Sequence, residues 1–517
     1  MSRFFVTTAI DYANGEPHLG HAFEKIGTDV IARYMRLAGH DVHFLTGMDE
    51  HGQKVAQTAA ERGVSPQEFV DGIALRFQAM WARLSVDYDQ FIRTTDEDHK
   101  AGVRALIKRI HEASPDDFYE KAYEGWYCVG CELFKRDNEI VEGKCVLHPT
   151  RELQWTQERN WFFRLAKYEG FLRRLFAERP DFLAPESRRN EVLSLIEQGL
   201  EDISVTRSRL AWAIPFPIPT SDGVPQGTWV WFDALPNYLT ATGFPNAGWR
   251  DRWPADLHVV GKDITRLHAV VWPAMLQAAE LPLPKRVWAH GFVQLGGERF
   301  SKSAGVKLEL GEAIDRFGAD AFRYFLMREV PFDADGNFSW ERFEDRYNAD
   351  LANAWGNLAS RTISMIEKYC ESVVPTGGPT TLDAGDAEDI AEYHAAMSGE
   401  RGYLLHEGLK AVWSSVARGN EFVDRQAPWK LAKDPAQRPE LDTTMASLAR
   451  HLARHCVLLY PFMPAKTLEL WQALGAPGTL AEQRFDTLAA LDAAGWRVTK
   501  PAPLFPKDVQ PKTTQSG

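Results

Sequence analysis

Residues 4–37 read FFVTTAIDYANGEPHLGHAFEKIGTDVIARYMRL, and three successive patterns in that stretch decide the fold. An apolar run from Phe4 to Ile10 suits a buried strand, Asn14-Gly15 and Pro17 supply turn chemistry, and Ile26, Val30, Tyr34 and Leu37 recur on one face of a helix expected from His21 to about Leu37. A second strand, Val42 to Thr46, closes a βαβ unit around Phe4–Thr8 and that helix. At the turn into the helix stands His18-Leu19-Gly20-His21. Helix N-termini offer unpaired N–H groups and the positive end of the macrodipole, so a nucleotide's phosphates are well held there. Gly20 lets the backbone come close to a phosphate while both imidazoles face it. On its own the string also fits a capped helix carrying two surface histidines.

A second string lies more than 270 residues later: Arg299-Phe300-Ser301-Lys302-Ser303, between Leu295-Gly296-Gly297-Glu298 and Ala304-Gly305. It places cations and hydroxyls on a glycine-flanked loop that can move onto a triphosphate. Alone, it fits a basic surface loop or a phosphorylation site equally well. Together the two strings resemble the HIGH and KMSKS signatures of class I aminoacyl-tRNA synthetases. From Phe4 to about Gly475 the chain resembles the methionyl-tRNA synthetase family among them. Leu19 stands where isoleucine is usual, an apolar exchange, and Arg299-Phe300 where Lys-Met is usual. Lys302 is retained. Arginine is cationic but larger and fork-shaped, so closure of the loop differs in detail.

The resemblance implies an α/β fold: a Rossmann-like nucleotide-binding catalytic domain with a zinc-knuckle connective insertion, followed by an all-α anticodon-binding bundle. It implies attack of the L-methionine carboxylate on the α-phosphate of ATP, with Mg2+ bridging the phosphates, to give methionyl-adenylate and pyrophosphate. Methionine then passes to the 3′ end of tRNA(Met). By the same resemblance His18, His21, Arg299 and Lys302 are catalytic, and Gly20, Gly261, Asp263 and Ser301 complete the ATP contacts. Ala9, Ile10 and Tyr12 bound the methionine side chain and Asp49 holds its ammonium, with Trp231, Ala234, Leu235, Tyr238 and His268 as further walls. Asp11 and Leu235 occupy positions where the family commonly has proline. A thioether against aromatic edges gains about 0.3–1.5 kcal/mol per contact, which suits such walls. Read without the resemblance, residues 229–238, WVWFDALPNY, are a buried strand and the start of a helix.

At 517 residues, 44% apolar and 12% aromatic, the chain is long enough for two to four domains, each with its own core. No run reaches the 18 or so apolar residues of a membrane span, and the N-terminal apolar stretch is too short for a signal peptide, so a cytoplasmic protein is expected. Lys plus Arg at 59 against Asp plus Glu at 71 gives a net charge of −12, which argues for modest, salt-sensitive RNA affinity through local patches. Arg173-Arg174, Arg188-Arg189 and Arg207-Ser208-Arg209 are candidate patches.

Three of the five cysteines read Cys128-Val-Gly-Cys131, thirteen residues, Cys145-Val-Leu-His148. Two such turns bring four N/S donors to one tetrahedral point with no position left for water, the pattern of one structural Zn2+. Disulfides compete with this reading, but an odd cysteine count in a cytosolic enzyme disfavours them. Cys370 and Cys456, in apolar helical surroundings, are expected to be buried and inert.

Along the chain we expect residues 1–112 and 226–292 to form the two halves of the catalytic fold, with 113–225 the insertion. Residues 293–345 then carry the signature loop and stem contacts, 346–500 the helical domain, and 501–517 a tail disordered at its end. The second half should contain strands Thr228 to Phe232, Leu257 to Val260 and Val287 to Phe292. A loop from Val374 to Asp386 should separate the first two long helices of the bundle. The insertion is too short to leave room for a separate editing domain. Asn357 and Arg361, four apart, share a helical face. The resemblance makes them anticodon contacts together with Pro428 and Trp429, the last a stacking platform. With no further domain after the bundle, a monomer is expected. The rival readings are another class I synthetase, a small nucleotidyltransferase sharing HxGH, and a catalytically inactive RNA-binding relative.

Overall fold

The computed structural model describes residues 2–129, 131, 133–135, 139–208, 210–295, 298–299 and 309–507. Its central feature is a seven-stranded sheet in the order Leu183–Ala184, Val287–His290, Leu257–Gly261, Arg3–Thr8, Asp41–Asp49 and Asp11–Tyr12, with Gln90–Arg93 on the other edge of Asp41–Asp49. Every pairing is parallel. Such a sheet must be covered on both faces, and its strands are accordingly near-continuous apolar runs. The chain leaves Arg3–Thr8 toward Asp41–Asp49 on one side and later returns to Leu257–Gly261 on the other. The order therefore reverses beside the first strand, and ligands of open α/β sheets bind outside the carboxyl ends at such a point.

The helix joining the first two strands runs Leu19–Leu37, and its expected face is buried: Ile26, Val30, Tyr34 and Leu37 are all under 5% exposed. It is crossed at Gly27, where an added Cβ would lie 2.2 Å from the Phe332 ring. Between the halves, strands Phe118–Cys128 and Gln154–Phe163 form a long antiparallel ribbon that carries the small three-stranded sheet of residues 140–152.

Three expectations need correction. The stretch expected as strand Thr228 to Phe232 is strand only at Gly227–Thr228 and turns helical over Val230–Ala234. Its aromatic and β-branched residues favour a strand locally, but buried ion pairs of Asp233 (below) hold the helical turn, so tertiary contacts override propensity. Val287 to Phe292 is not one strand either: it ends at His290, and a new strand, Val293–Leu295, pairs with Gly336–Phe338. At Gly291 between them an added Cβ would lie 2.0 Å from the Ala334 carbonyl oxygen, so only glycine lets the two chains cross. The loop expected from Val374 to Asp386 ends early, because Thr380 and Asp383 form a capping box that starts helix Thr381–Met397.

From Tyr347 the chain is helical, with Asn357–Tyr369, Thr381–Met397, Leu405–Gln426 and Arg438–Leu459 as its long members. Cys370 and Cys456 are buried here, and burial pushes both thiols up. The disordered tail was expected mainly on residues outside those described; of the stretch that is described, Leu504 and Phe505 are buried and the Pro506 carbonyl accepts from Tyr347. Among the described residues no helix is long and apolar enough to cross a membrane.

One fully buried guanidinium joins the sheet's helices to the bundle. Arg323 pairs with Asp29 of helix Leu19–Leu37 at 2.6 Å and donates to the carbonyls of Leu84, Pro461 and Phe462 at 2.7–3.0 Å. Arg323→Met removes the pair and leaves three buried carbonyls without donors, so stability should fall by about 3–5 kcal/mol. A guanidinium-chloride titration followed by tryptophan fluorescence measures this; a midpoint unchanged from wild type would contradict it.

Candidate active site

The switch point of the sheet is where the first signature lies. His18 has extended backbone and caps the helix: its Nδ1 accepts from the N–H groups of Gly20 at 3.2 Å and His21 at 3.4 Å. His21 returns the contact, its Nδ1 accepting from the His18 N–H at 3.3 Å, and the two rings stack at 3.6 Å. Both Nδ1 atoms are thus acceptors, which puts the proton of each neutral imidazole on Nε2. The capping alternative and the phosphate reading are therefore one geometry. A reciprocal cap fixes the two rings, each with its N–H on Nε2, at a helix N-terminus, where an anion is favoured.

Around this point the sheet brings the other expected residues together. Strand Asp11–Tyr12 pairs with the end of Asp41–Asp49 in register Tyr12↔Asp49, and Ala13 N–H donates to the Asp49 carbonyl at 2.9 Å. Tyr12 is 38% exposed and meets Trp231 edge-on at 6.0 Å; Trp231 in turn meets His268 edge-on at 6.2 Å. Ala234, Leu235, Tyr238 and His268 are buried, while Ala9 and Ile10 are half-buried and pack on the apolar cluster that contains Trp231, Leu235 and Tyr238.

Tyr238 Oη lies 2.7 Å from His268 Nε2, and His268 Nδ1 lies 3.0 Å from the Ile264 carbonyl. The carbonyl can only accept, so Nδ1 carries the proton and Nε2 accepts from the phenol. Burial pushes the His268 pKa down to about 4. The pair is therefore uncharged at neutral pH, a wall suited to an apolar, polarisable side chain. His268 lies in a π-helical turn, Leu267–Val271, of the kind that collects at functional sites. Gly261 ends its strand at the switch point, and a Cβ there would lie 2.7 Å from an Asp263 carboxylate oxygen, so the backbone is left bare beside that carboxylate.

Two buried networks around these residues are absent from the sequence reading. Asp233, fully buried, receives His51 Nδ1 at 2.6 Å and His99 Nε2 at 2.9 Å. Burial raises its pKa, but the two imidazoles outweigh that and hold the carboxyl below its ordinary range. It ties the segment after Asp49 to the helical turn bearing Trp231 and Ala234. The second network links Asp11, Lys25, Glu24 and His290, with Glu24 to His290 at 3.0 Å. Its sequence signal is a pair of adjacent opposite charges, Glu24-Lys25, in the early turns of a helix that is buried nearly all round.

His290 ends the strand that leads to the second signature, so that segment departs from a point bonded to the first turns of the HxGH helix. Arg299 pairs through its backbone with Gln294 in a short hairpin; Ser301 and Lys302 lie outside the described residues. In the insertion, the sulfur and nitrogen atoms of Cys128, Cys131, Cys145 and His148 lie within 4.8 Å of one another. Cys131 Sγ is 3.6 Å from Cys145 Sγ and 3.2 Å from His148 Nδ1, and Cys128 Sγ is 3.8 Å from that nitrogen. Tetrahedral zinc with Zn–S near 2.3 Å and Zn–N near 2.0 Å needs edges of about 3.5–3.8 Å. A disulfide needs about 2.0 Å, and all five cysteines are free. The four donors fit zinc.

Of the basic candidates, Arg207 is buried and lies over the Tyr127 and Trp229 rings at 5.4 and 6.0 Å, so it is a packing residue rather than part of a phosphate patch. Arg209 lies outside the described residues. Arg188 and Arg189 are engaged by Glu191 and Glu186. In the bundle, Trp429 is 38% exposed above a buried Pro428. Arg361 bonds Asp424 at 2.8 Å, joining the exposed Asn357 end of its helix to the helix that runs into Pro428-Trp429.

Comparison with known proteins decides the family. The model of class I tRNA synthetases (M) matches residues 4–152 and 139–363, and that of the anticodon binding domain of methionyl tRNA ligase matches 376–515. The chain belongs to the methionyl-tRNA synthetase family. It is 42% identical over 525 residues to the methionine–tRNA ligase of Rhizobium meliloti, covering 99% of both chains. With the ligase of Caldanaerobacter subterraneus the identity is 41% over 511 residues, covering 98% of this chain and 78% of the relative. The solved Mycobacterium tuberculosis methionyl-tRNA synthetase in complex with methionyl-adenylate superposes with a TM-score of 0.91 at 39% identity, covering 98% of this chain and all of the other. The enzyme is thus an ATP-dependent methionine–tRNA ligase with a Rossmann-like catalytic domain and a helical anticodon-binding domain.

Proposed function

We propose that methionine activation takes place where the HxGH helix meets the pocket of Tyr12, Trp231, Tyr238 and His268. The observation that carries this is the reciprocal cap, which holds two stacked imidazoles in fixed orientation at a helix N-terminus beside an uncharged aromatic pocket. Asp49 takes the substrate ammonium, Ala9, Ile10, Ala234 and Leu235 complete the pocket, and Gly20, Gly261 and Asp263 receive the nucleotide. As the methionine carboxylate attacks the α-phosphate, charge builds up on the phosphates. His18 and His21 stabilise it from the helix side, and Arg299, Ser301 and Lys302 from the signature loop. Little proton transfer is required, so the groups act by position and charge. Mg2+ bound with the ATP would supply further charge neutralisation. Formation of methionyl-adenylate is supported by the adenylate held in the M. tuberculosis relative.

We assign residues 1–112 and 226–292 to the catalytic fold, 113–225 to the insertion, 293–345 to the signature loop and stem-contact region, and 346–500 to the anticodon domain. Cys128, Cys131, Cys145 and His148 would hold one zinc ion that cross-links the knuckle. Asn357, Arg361, Pro428 and Trp429 read the anticodon of tRNA(Met), the exposed indole stacking on a base for about 1–3 kcal/mol. Trp429→Ala should therefore raise KM for tRNA about tenfold or more in aminoacylation and leave ATP–pyrophosphate exchange within twofold of wild type. An equal loss in both assays would contradict the assignment.

A further inference from the structure

Lys25 is wholly inaccessible to solvent, yet its ammonium lies directly under the residues assigned to the amino-acid pocket. Its three N–H groups have three partners: the Ala9 carbonyl at 2.9 Å, Asp11 Oδ1 at 2.8 Å and Glu24 Oε1 at 2.7 Å. Two of these acceptors flank Ile10 in the chain. The Ala9 N–H is also committed, to the Val259 carbonyl at 3.1 Å, so with Lys25 the peptide groups on both sides of the Ala9 α-carbon are held. On the other side Asp11 is held in the sheet against Met48 and carries one buried oxygen, Oδ2, with no hydrogen-bond partner among the described residues. Its other oxygen lies 3.9 Å from His21 Nε2.

A buried charge cluster of this kind is a poor source of stability, because desolvation cancels much of the Coulomb attraction and an apolar trio would serve as well. What a saturated ammonium does supply is a fixed geometry for the groups it holds. We propose that Lys25 is a positioning residue for methionine activation: it clips the chain on both sides of Ile10, at the Ala9 carbonyl and the Asp11 carboxylate, and so sets the shape of the pocket wall that the substrate side chain meets. Through Asp11 the same clip sets the distance between that wall and the His21 ring. Through Glu24 and His290 it is continuous with the strand that leads to the signature loop. This rests on the assignment of Ile10 to the methionine pocket.

The test uses the full-length enzyme and compares Lys25→Met, Asp11→Asn, the double variant and, as a reference, Ile10→Ala. Each is measured in ATP–pyrophosphate exchange for KM of methionine, KM of ATP and kcat, alongside a thermal midpoint. Lys25→Met should raise KM for methionine at least tenfold with KM for ATP within threefold. Asp11→Asn should raise methionine KM about threefold, and the double variant by less than the product of the two single effects. Should Lys25→Met fail to fold, Asp11→Asn and the double variant, which leaves one buried carboxylate fewer unpaired, decide the matter.

Methionine KM within twofold of wild type in those variants overturns the clip, whatever happens to kcat or the midpoint, since loss of stability alone does not separate the two substrates. If Ile10→Ala raises methionine KM while the Lys25 and Asp11 variants do not, the clip alone is wrong. If Ile10→Ala leaves it unchanged, the pocket assignment is wrong and the clip falls with it.

Discussion

Replacing His18 with asparagine is expected to lower methionine-dependent ATP–pyrophosphate exchange by about 10²–10³-fold, the usual consequence of removing one preorganised donor to developing charge. The same change should alter stability by less than about 1 kcal/mol, because asparagine is among the best helix N-caps and can accept from the Gly20 and His21 N–H groups in place of Nδ1. While Oδ1 caps, the asparagine amide N–H groups lie one bond nearer the backbone than the imidazole Nε2–H and so do not reach outward to the same point. The variant therefore separates the two roles that the imidazole combines. Exchange kinetics together with a thermal midpoint report both. A loss under tenfold, or one that tracks a lowered midpoint, would mean that His18 is only a cap.

The second large effect concerns the knuckle. Cys145→Ser should reduce bound zinc from one ion per chain to near zero by atomic emission, while Cys370→Ser, with a buried thiol in the helical domain, should leave it at one. Structural zinc contributes on the order of 10–16 kcal/mol of apparent binding energy in small peptides. The residues around it have little apolar core to replace that: Val141, Val146 and Leu147 are more than half exposed. Residues 128–148 should then become the first point of proteolytic cleavage. Cobalt substitution of the wild type should give the intense visible bands of tetrahedral thiolate coordination. Full zinc content in Cys145→Ser would contradict the assignment.

Much of this site is legible in the sequence where its chemistry is local. HxGH is readable because cap, glycine and helix periodicity fall within one turn, and the knuckle because two ligand pairs each sit on one tight loop. Contributions that depend on distant partners were not readable. Trp229 to Phe232 reads as a strand until His51 and His99 converge on Asp233. Arg207 reads as a surface cation until the ribbon brings Tyr127 beneath it. Lys25 shows in the sequence only as a charge beside Glu24; its other two acceptors, on Ala9 and Asp11, come from the crossing of strand and helix. Gly291 reads as part of one strand, Val287 to Phe292, until the Ala334 carbonyl passes close against it.

Activation requires the two signatures and the aromatic pocket to converge around one pair of substrates. The most direct measurement is a crystal structure of the enzyme with methionine and an ATP analogue that cannot be cleaved between its α- and β-phosphates. It should show phosphate oxygens within hydrogen-bond reach, about 3 Å, of Nε2 of both His18 and His21. Lys302 should reach the same triphosphate, and the thioether should lie among Ile10, Tyr12, Trp231 and His268. A triphosphate bound away from the two imidazoles, or a Lys302 loop that stays on the far side of the molecule with both substrates in place, would contradict it.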